Sequence, residues 1–194
     1  SSWKSRLLGP VEQLGDEESV RVLIYGLNFS PELTGIGKYT GELSAWLAKN
    51  GADVEVVCSV PYYPEWRVNQ HFNAWRYSTR KESGVLVTRC PLFVPRKPSN
   101  ILRILHLLSF AISSVFPLFS KRSFNPDVII LITPSLFCSF NALLASRIFG
   151  STAVIHIQDF EVDAFFELLV KRFRRVYDFA LYCERWIYNR FDLV

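Results

Sequence analysis

Apolar and polar positions along this chain fall into blocks whose period changes in a regular order. Residues 1–19 show no clear period and are predicted to form a loose leader. Val20 to Gly26 is a continuous apolar, β-branched run, the mark of a strand buried on both faces. From Ile36 to Asn50 the apolar residues Ile36, Tyr39, Leu43, Trp46 and Leu47 fall at helical spacing, and Gly51 stands where a helix C-terminal glycine belongs. Val54 to Cys58 is the next strand, so the unit is strand–helix–strand, which favours a parallel pair with a right-handed crossover.

A long loop then runs to about Ser83. Val85 to Cys90, Val128 to Ile132 and Thr152 to Ile157 read as further strands. Ser99 to Phe119 reads as one helix capped by Ser99, and Leu136 to Phe149 as another, ended by Gly150. An acidic loop and one or two helices lead to Arg190, and Phe191 to Val194 reads as the start of a sixth strand. Strands alternating with helices predict an α/β fold: a doubly wound, mostly parallel, Rossmann-like sheet in one domain over residues 20–194.

The segment from Ile101 to Phe119 is nearly long enough to cross a bilayer. However, Arg103, His106, Ser109, Ser113 and Pro117 recur every three or four residues and form one narrow polar stripe. A crossover helix packed on the sheet is the preferred reading. An interfacial helix between the basic pairs Arg96-Lys97 and Lys121-Arg122 is compatible with it.

Composition narrows the picture little further. Hydrophobic residues at 49% exclude a disordered chain, and a net charge of +4 is too mild for a nucleic-acid arm but suits an anionic surface or a phosphorylated substrate. Cys58, Cys90, Cys138 and Cys183 have neither metal-ligand nor redox spacing, which predicts free thiols in a reducing cytoplasm. Residues 1–19 lack the apolar segment of a secretory signal, and the absence of methionine predicts a processed or excised piece.

Three segments carry candidate chemistry. The loop from Ser30 to Gly41 joins the first strand to the first helix, at the sheet edge where ligands bind in such folds. Gly35 and Gly37 let backbone approach a bound group, and the helix start offers N–H groups to a phosphate. The spacing fits neither a dinucleotide fingerprint nor a P-loop, and a tight turn alone also explains the glycines. Beyond the fifth strand, His156, Asp159 and Glu161 cluster as hydrogen-bond or acid–base candidates, although acids there also suit a helix start. Pro61-Tyr62-Tyr63-Pro64-Glu65-Trp66, after the second strand, offers aromatic faces to a sugar ring or to the core. The basic run Lys171 to Arg175 reads as a solvated face, with acidic lipid head groups as the less favoured partner.

Taken in order, LIYGLNFSPELTGIGKYTGELSAWL, PYYPEW and HIQDFEVDAFFEL resemble the GT-B glycosyltransferases of family four, and among them the colanic-acid-type sugar transferases of bacterial exopolysaccharide synthesis. The resemblance runs from about Val20 to the end. It implies the N-terminal, acceptor-side half of a two-domain enzyme, with the C-terminal donor domain absent from this chain and the chain inactive alone. By resemblance, Gly35, Ile36 and Gly37 contact the donor diphosphate, and His156 contacts the donor sugar, with Asp159 and Glu161 in the loop beyond. Pro31, Glu32, Tyr62 and Tyr63 stand where acceptor contacts are expected. The implied reaction is retaining transfer from a GDP- or UDP-linked sugar to a saccharide or lipid-linked acceptor. No cofactor, essential metal or nucleic acid is implied, and the implied location is the cytoplasm or the inner membrane face. A non-catalytic binding module and half of a sugar-nucleotide epimerase are the alternatives.

Overall fold

The computed structural model describes residues 19–132, 136–158 and 182–194. The expected leader therefore lies outside the described residues, apart from Ser19. So do Asp159, Glu161 and the basic run at Lys171.

Strand β1 (Arg21–Gly26) sits in mid-sheet and is buried from Val22 onward, as its unbroken apolar run requires. Strand β2 (Asp53–Ser59) and strand β5 (Val128–Ile132) pair parallel with it on either side. Strand β4 (Val85–Cys90) continues beyond β2, and strand β6 (Thr152–His156) beyond β5, also parallel. With β3 (Ser78–Glu82) at one edge, the order is β3-β4-β2-β1-β5-β6. At the amino edge Arg21 and Asp127 form an ion pair of 3.0 Å that ties β1 to β5.

The outlying strand β3 (Ser78–Glu82) pairs antiparallel with β4, where the sequence predicted only loop. Its sequence, STRKE, has no apolar face to bury because it is an exposed edge. The hairpin turns on Ser83 and Gly84, both at positive φ (49° and 85°), as a tight two-residue hairpin turn demands.

One sheet face carries helix α1 (Gly35–Lys49), whose Ile36, Leu43 and Leu47 pack on Val22, Ile24, Val54 and Val56. The other face carries α2 (Asn100–Ser113), α3 (Val115–Ser120) and α4 (Leu136–Phe149) over Leu23, Tyr25 and Val57. Ser99 caps α2, its hydroxyl accepting from the Leu102 N–H.

The single helix predicted over 99–119 breaks at Ser114. Pro117 has no N–H to give the Ser113 carbonyl four residues back. The Tyr77 hydroxyl donates to that carbonyl instead, at 2.9 Å. Ser114 Oγ shares a 2.6 Å hydrogen bond with the buried Tyr25 hydroxyl, and Asn141 of α4 reaches both Tyr25 and the Ala111 carbonyl. This polar knot locks α2, α3 and α4 to β1.

From His106 to Ser113 the polar stripe of α2 faces inward, whereas Arg103 is exposed. His106 Nδ1 lies 2.6 Å from the Phe93 carbonyl, Ser109 Oγ accepts from the Phe93 N–H, and Ser113 Oγ donates to the Pro91 carbonyl. The stripe thus satisfies the backbone that joins β4 to α2. Near the end of the chain, Leu193 makes a parallel bridge with Val154 on the outer side of β6, at the expected start of a strand.

Candidate functional site

The parallel register aligns the carboxyl ends of the strands. Gly26 pairs with Ile132, and Ile132 with His156, so His156 ends β6 at the level where β1 ends. Two inter-strand spacings separate them, roughly 10 Å. His156 is exposed there, on the same sheet edge as the loop leading to α1.

A cleft of about 620 Å³ opens at this edge between the loop after β1 and the loop after β2. Pro31, Glu32, Tyr62 and Tyr63, the four expected acceptor contacts, all line it, joined by Arg67 and His71. They are not equivalent. Pro31 is exposed and Tyr63 offers a half-exposed ring, whereas Tyr62 and Glu32 are buried. Gly35, Ile36, Gly37 and His156 stand outside the cleft lining.

Glu32 is the strut between the two loops. Its Oε1 accepts from the N–H groups of Tyr62 and Tyr63, each at 3.1 Å, and its Oε2 accepts from Asn28 Nδ2 at 3.0 Å. Burial pushes its carboxyl above the ordinary value, and these hydrogen bonds and nearby Arg89 only partly offset that. The carboxyl oxygens are therefore already committed to holding the two loops together.

The same strut accounts for Gly37. A Cβ on Gly37 would lie 2.7 Å from Glu32 Cβ and collide with Oε2 as well. Gly35 has a different need: its φ is +62°, in the left-handed region, and a Cβ there would meet only the Tyr63 ring, at 3.6 Å. Thr34 caps α1 without a side-chain hydrogen bond, and the first turn contains no acidic residue.

Beneath the cleft, Tyr62, Trp66 and His106 form an edge-packed aromatic cluster, with ring centroids 4.6 Å apart for Tyr62–His106 and 5.1 Å for Trp66–His106. Burial pushes the His106 pKa below its ordinary value, disfavouring the imidazolium form. Arg103 of α2 stands over the Trp66 ring at 5.6 Å.

Arg89, at the end of β4, escaped the sequence reading. It is buried, pairs with Glu82 at 2.9 Å, and donates to the carbonyls of Ser30 (2.6 Å) and Ser59 (3.2 Å). Its guanidinium also lies over the Phe72 ring at 4.8 Å. It thereby fixes the root of both cleft loops. A signal existed: Val85, Val87 and Arg89 share strand parity, so a charge stood at a core position.

Cys58, Cys90 and Cys138 are buried free thiols. Burial pushes Cys58 up to about 12 and Cys90 higher still, so neither is a nucleophile. Among the described residues, no group of three or more His, Cys, Asp or Glu could hold a metal ion.

Two comparisons bear on this arrangement. Over 145 residues, 75% of the chain, the sequence is 52% identical to an Escherichia coli K12 protein named as the putative colanic acid biosynthesis glycosyl transferase WcaI. The chain spans 35% of that protein's length. Residues 34–194, which include the cleft's second loop, α1 and His156, match the glycosyl transferase 4-like domain. With most of its length inside that match, the chain belongs to the glycosyl transferase 4-like family.

Proposed function

We propose that this chain is the acceptor-side half of a retaining glycosyltransferase of exopolysaccharide synthesis. It moves a sugar from a GDP- or UDP-linked donor to a saccharide acceptor carried on a lipid, in the cytoplasm at the inner membrane face. A second α/β domain completes the donor site, in keeping with the greater length of the Escherichia coli relative. The observation that carries the reading is the cleft walled by Pro31 and Tyr63, on the same sheet edge as His156 and the start of α1.

Within this reading the acceptor occupies the cleft, stacked on Tyr63. The donor diphosphate faces the first-turn amides of Gly35, Ile36 and Gly37, and His156 donates to the donor sugar or phosphate. The leaving diphosphate is stabilised by those fixed dipoles, and the acceptor hydroxyl attacks from the same face. Glu32 stands against Gly37 with its carboxyl oxygens already turned to Asn28 and to the amides of Tyr62 and Tyr63. No nucleophile from the protein and no essential metal is required. Asp159 and Glu161, which follow His156 in the sequence, assist at the donor sugar.

The test is net transfer by the full-length protein with His156→Ala. Loss of one such donor is expected to lower kcat by about a hundredfold or more. The thermal midpoint should not move. Normal turnover in the variant refutes the assignment of His156, and isomerised donor without transfer refutes the reaction class.

A further inference from the structure

The helical run Asn100–Ser123 is long and apolar enough to cross a membrane; an 18-residue stretch within it has a mean hydropathy of 1.8, and 39% of that stretch is buried. It does not behave as a span. One side packs on the sheet through Leu107, Phe110 and Leu118, and its polar stripe is spent on the segment Pro91 to Phe93. The side facing away from the sheet is apolar too. Ile101, Ile112 and Phe116 are 72%, 71% and 77% exposed, and with Leu105 they fall on one stripe at helical spacing.

Helix α4, joined to α2 by Asn141, carries a matching stripe of exposed Phe137, Phe140, Leu144 and Ile148. A helix packed on a domain normally turns polar residues outward. Two adjacent helices that do the opposite mark an interaction surface.

Charge selects the occupant. From Ser83 to Gln158 the chain carries seven lysines and arginines against one carboxylate, Asp127, which is paired with Arg21 at the amino edge of the sheet; of the seven, Arg89 and Lys121 are paired with Glu82 and Glu55. Arg96, Lys97, Arg122 and Arg147 of this stretch are exposed. A second copy brought face to face would set these cationic flanks against each other. An anionic bilayer accepts both features, apolar side chains at the acyl boundary and basic ones among the head groups.

We propose that the outer face of α2, α3 and α4 lies on an anionic lipid bilayer. The docking does not depend on the transfer reading. If both hold, α2 brings the cleft to the membrane, because Arg103 and His106 underlie Trp66 and Tyr62.

Flotation of the full chain with vesicles tests this without donor or acceptor. Binding to vesicles containing phosphatidylglycerol should exceed binding to phosphatidylcholine alone by at least tenfold and weaken in high salt. The double variant Ile112→Glu/Phe116→Glu should lose binding at least tenfold with an unchanged thermal midpoint, since both residues are exposed. Arg96→Glu/Lys97→Glu should weaken binding mainly at low salt. His156→Ala, which tests the transfer reading, should float like the parent. No binding to anionic vesicles, or equal binding by the Ile112/Phe116 variant, overturns the proposal. A dimer in solution that this variant splits, with vesicle binding intact, assigns the face to a second copy instead.

Discussion

Gly37→Ala gives the sharpest test of how the cleft is built. Gly37 lies in the first turn of α1 and has no left-handed φ, so helix propensity alone favours alanine over glycine there by up to about 1 kcal/mol. The structure predicts the opposite sign. The new Cβ would lie 2.7 Å from Glu32 Cβ, roughly 1 Å inside the usual carbon–carbon optimum, with Oε2 in collision as well. Overpacking of this kind costs about 1–3 kcal/mol. Moving Glu32 to relieve it breaks the hydrogen bonds to Tyr62 and Tyr63, so the cost cannot be shed locally. The net expectation is a loss of up to about 2 kcal/mol once the full propensity gain is subtracted. Urea denaturation without ligand reads it directly. A double-mutant cycle with Glu32→Gly isolates the cause, because Gly37→Ala should become neutral or stabilising once the Glu32 side chain is gone. The reasoning fails if Gly37→Ala is stabilising in the parent, or if its cost is unchanged in the Glu32→Gly background. A glycine kept only for a phosphate would give that failing pattern.

The other two expectations concern the charges around the cleft. Arg89→Met should destabilise by about 3–5 kcal/mol, because it strips a buried partner from Glu82 and leaves two carbonyls unsatisfied; a loss below about 1 kcal/mol in urea denaturation would show that water replaces the guanidinium. Glu32→Gln keeps an acceptor for the two loop amides and removes the charge. The Glu32 carboxyl is raised above about 4.5, so its stabilising contribution is complete below that pH and is lost as pH rises through the folded value. The variant's stability relative to the parent should therefore improve between pH 4 and pH 7, and a relative decline over that range would show that the hydrogen bonds to the charge outweigh its burial.

The strands buried on both faces were legible because burial there demands unbroken apolar runs, as in Val22 to Gly26 and Val128 to Ile132. The cleft loops were legible for a related reason: proline, glycine and tyrosine cluster just past apolar strand ends. What stayed hidden depended on pairing across distance. β3 has no apolar pattern because an edge exposed on both faces needs none. Pro117 was visible, but the partner waiting for the released Ser113 carbonyl, Tyr77, is 36 residues away. Glu32 read as a sugar contact because nothing local shows that Tyr62 and Tyr63, about 30 residues on, turn their amides onto it. Only the parallel register of β1 with β2 brings those loops side by side. The same register sets Arg89 beneath both loops, and there a charge at a core position becomes intelligible. The glycines illustrate the consequence. Gly35 is required by backbone conformation, Gly37 by a neighbouring carboxylate, and any role toward a diphosphate is built on a turn already shaped by both. A motif match alone therefore cannot apportion these residues between folding and binding, whereas stability measured without ligand can.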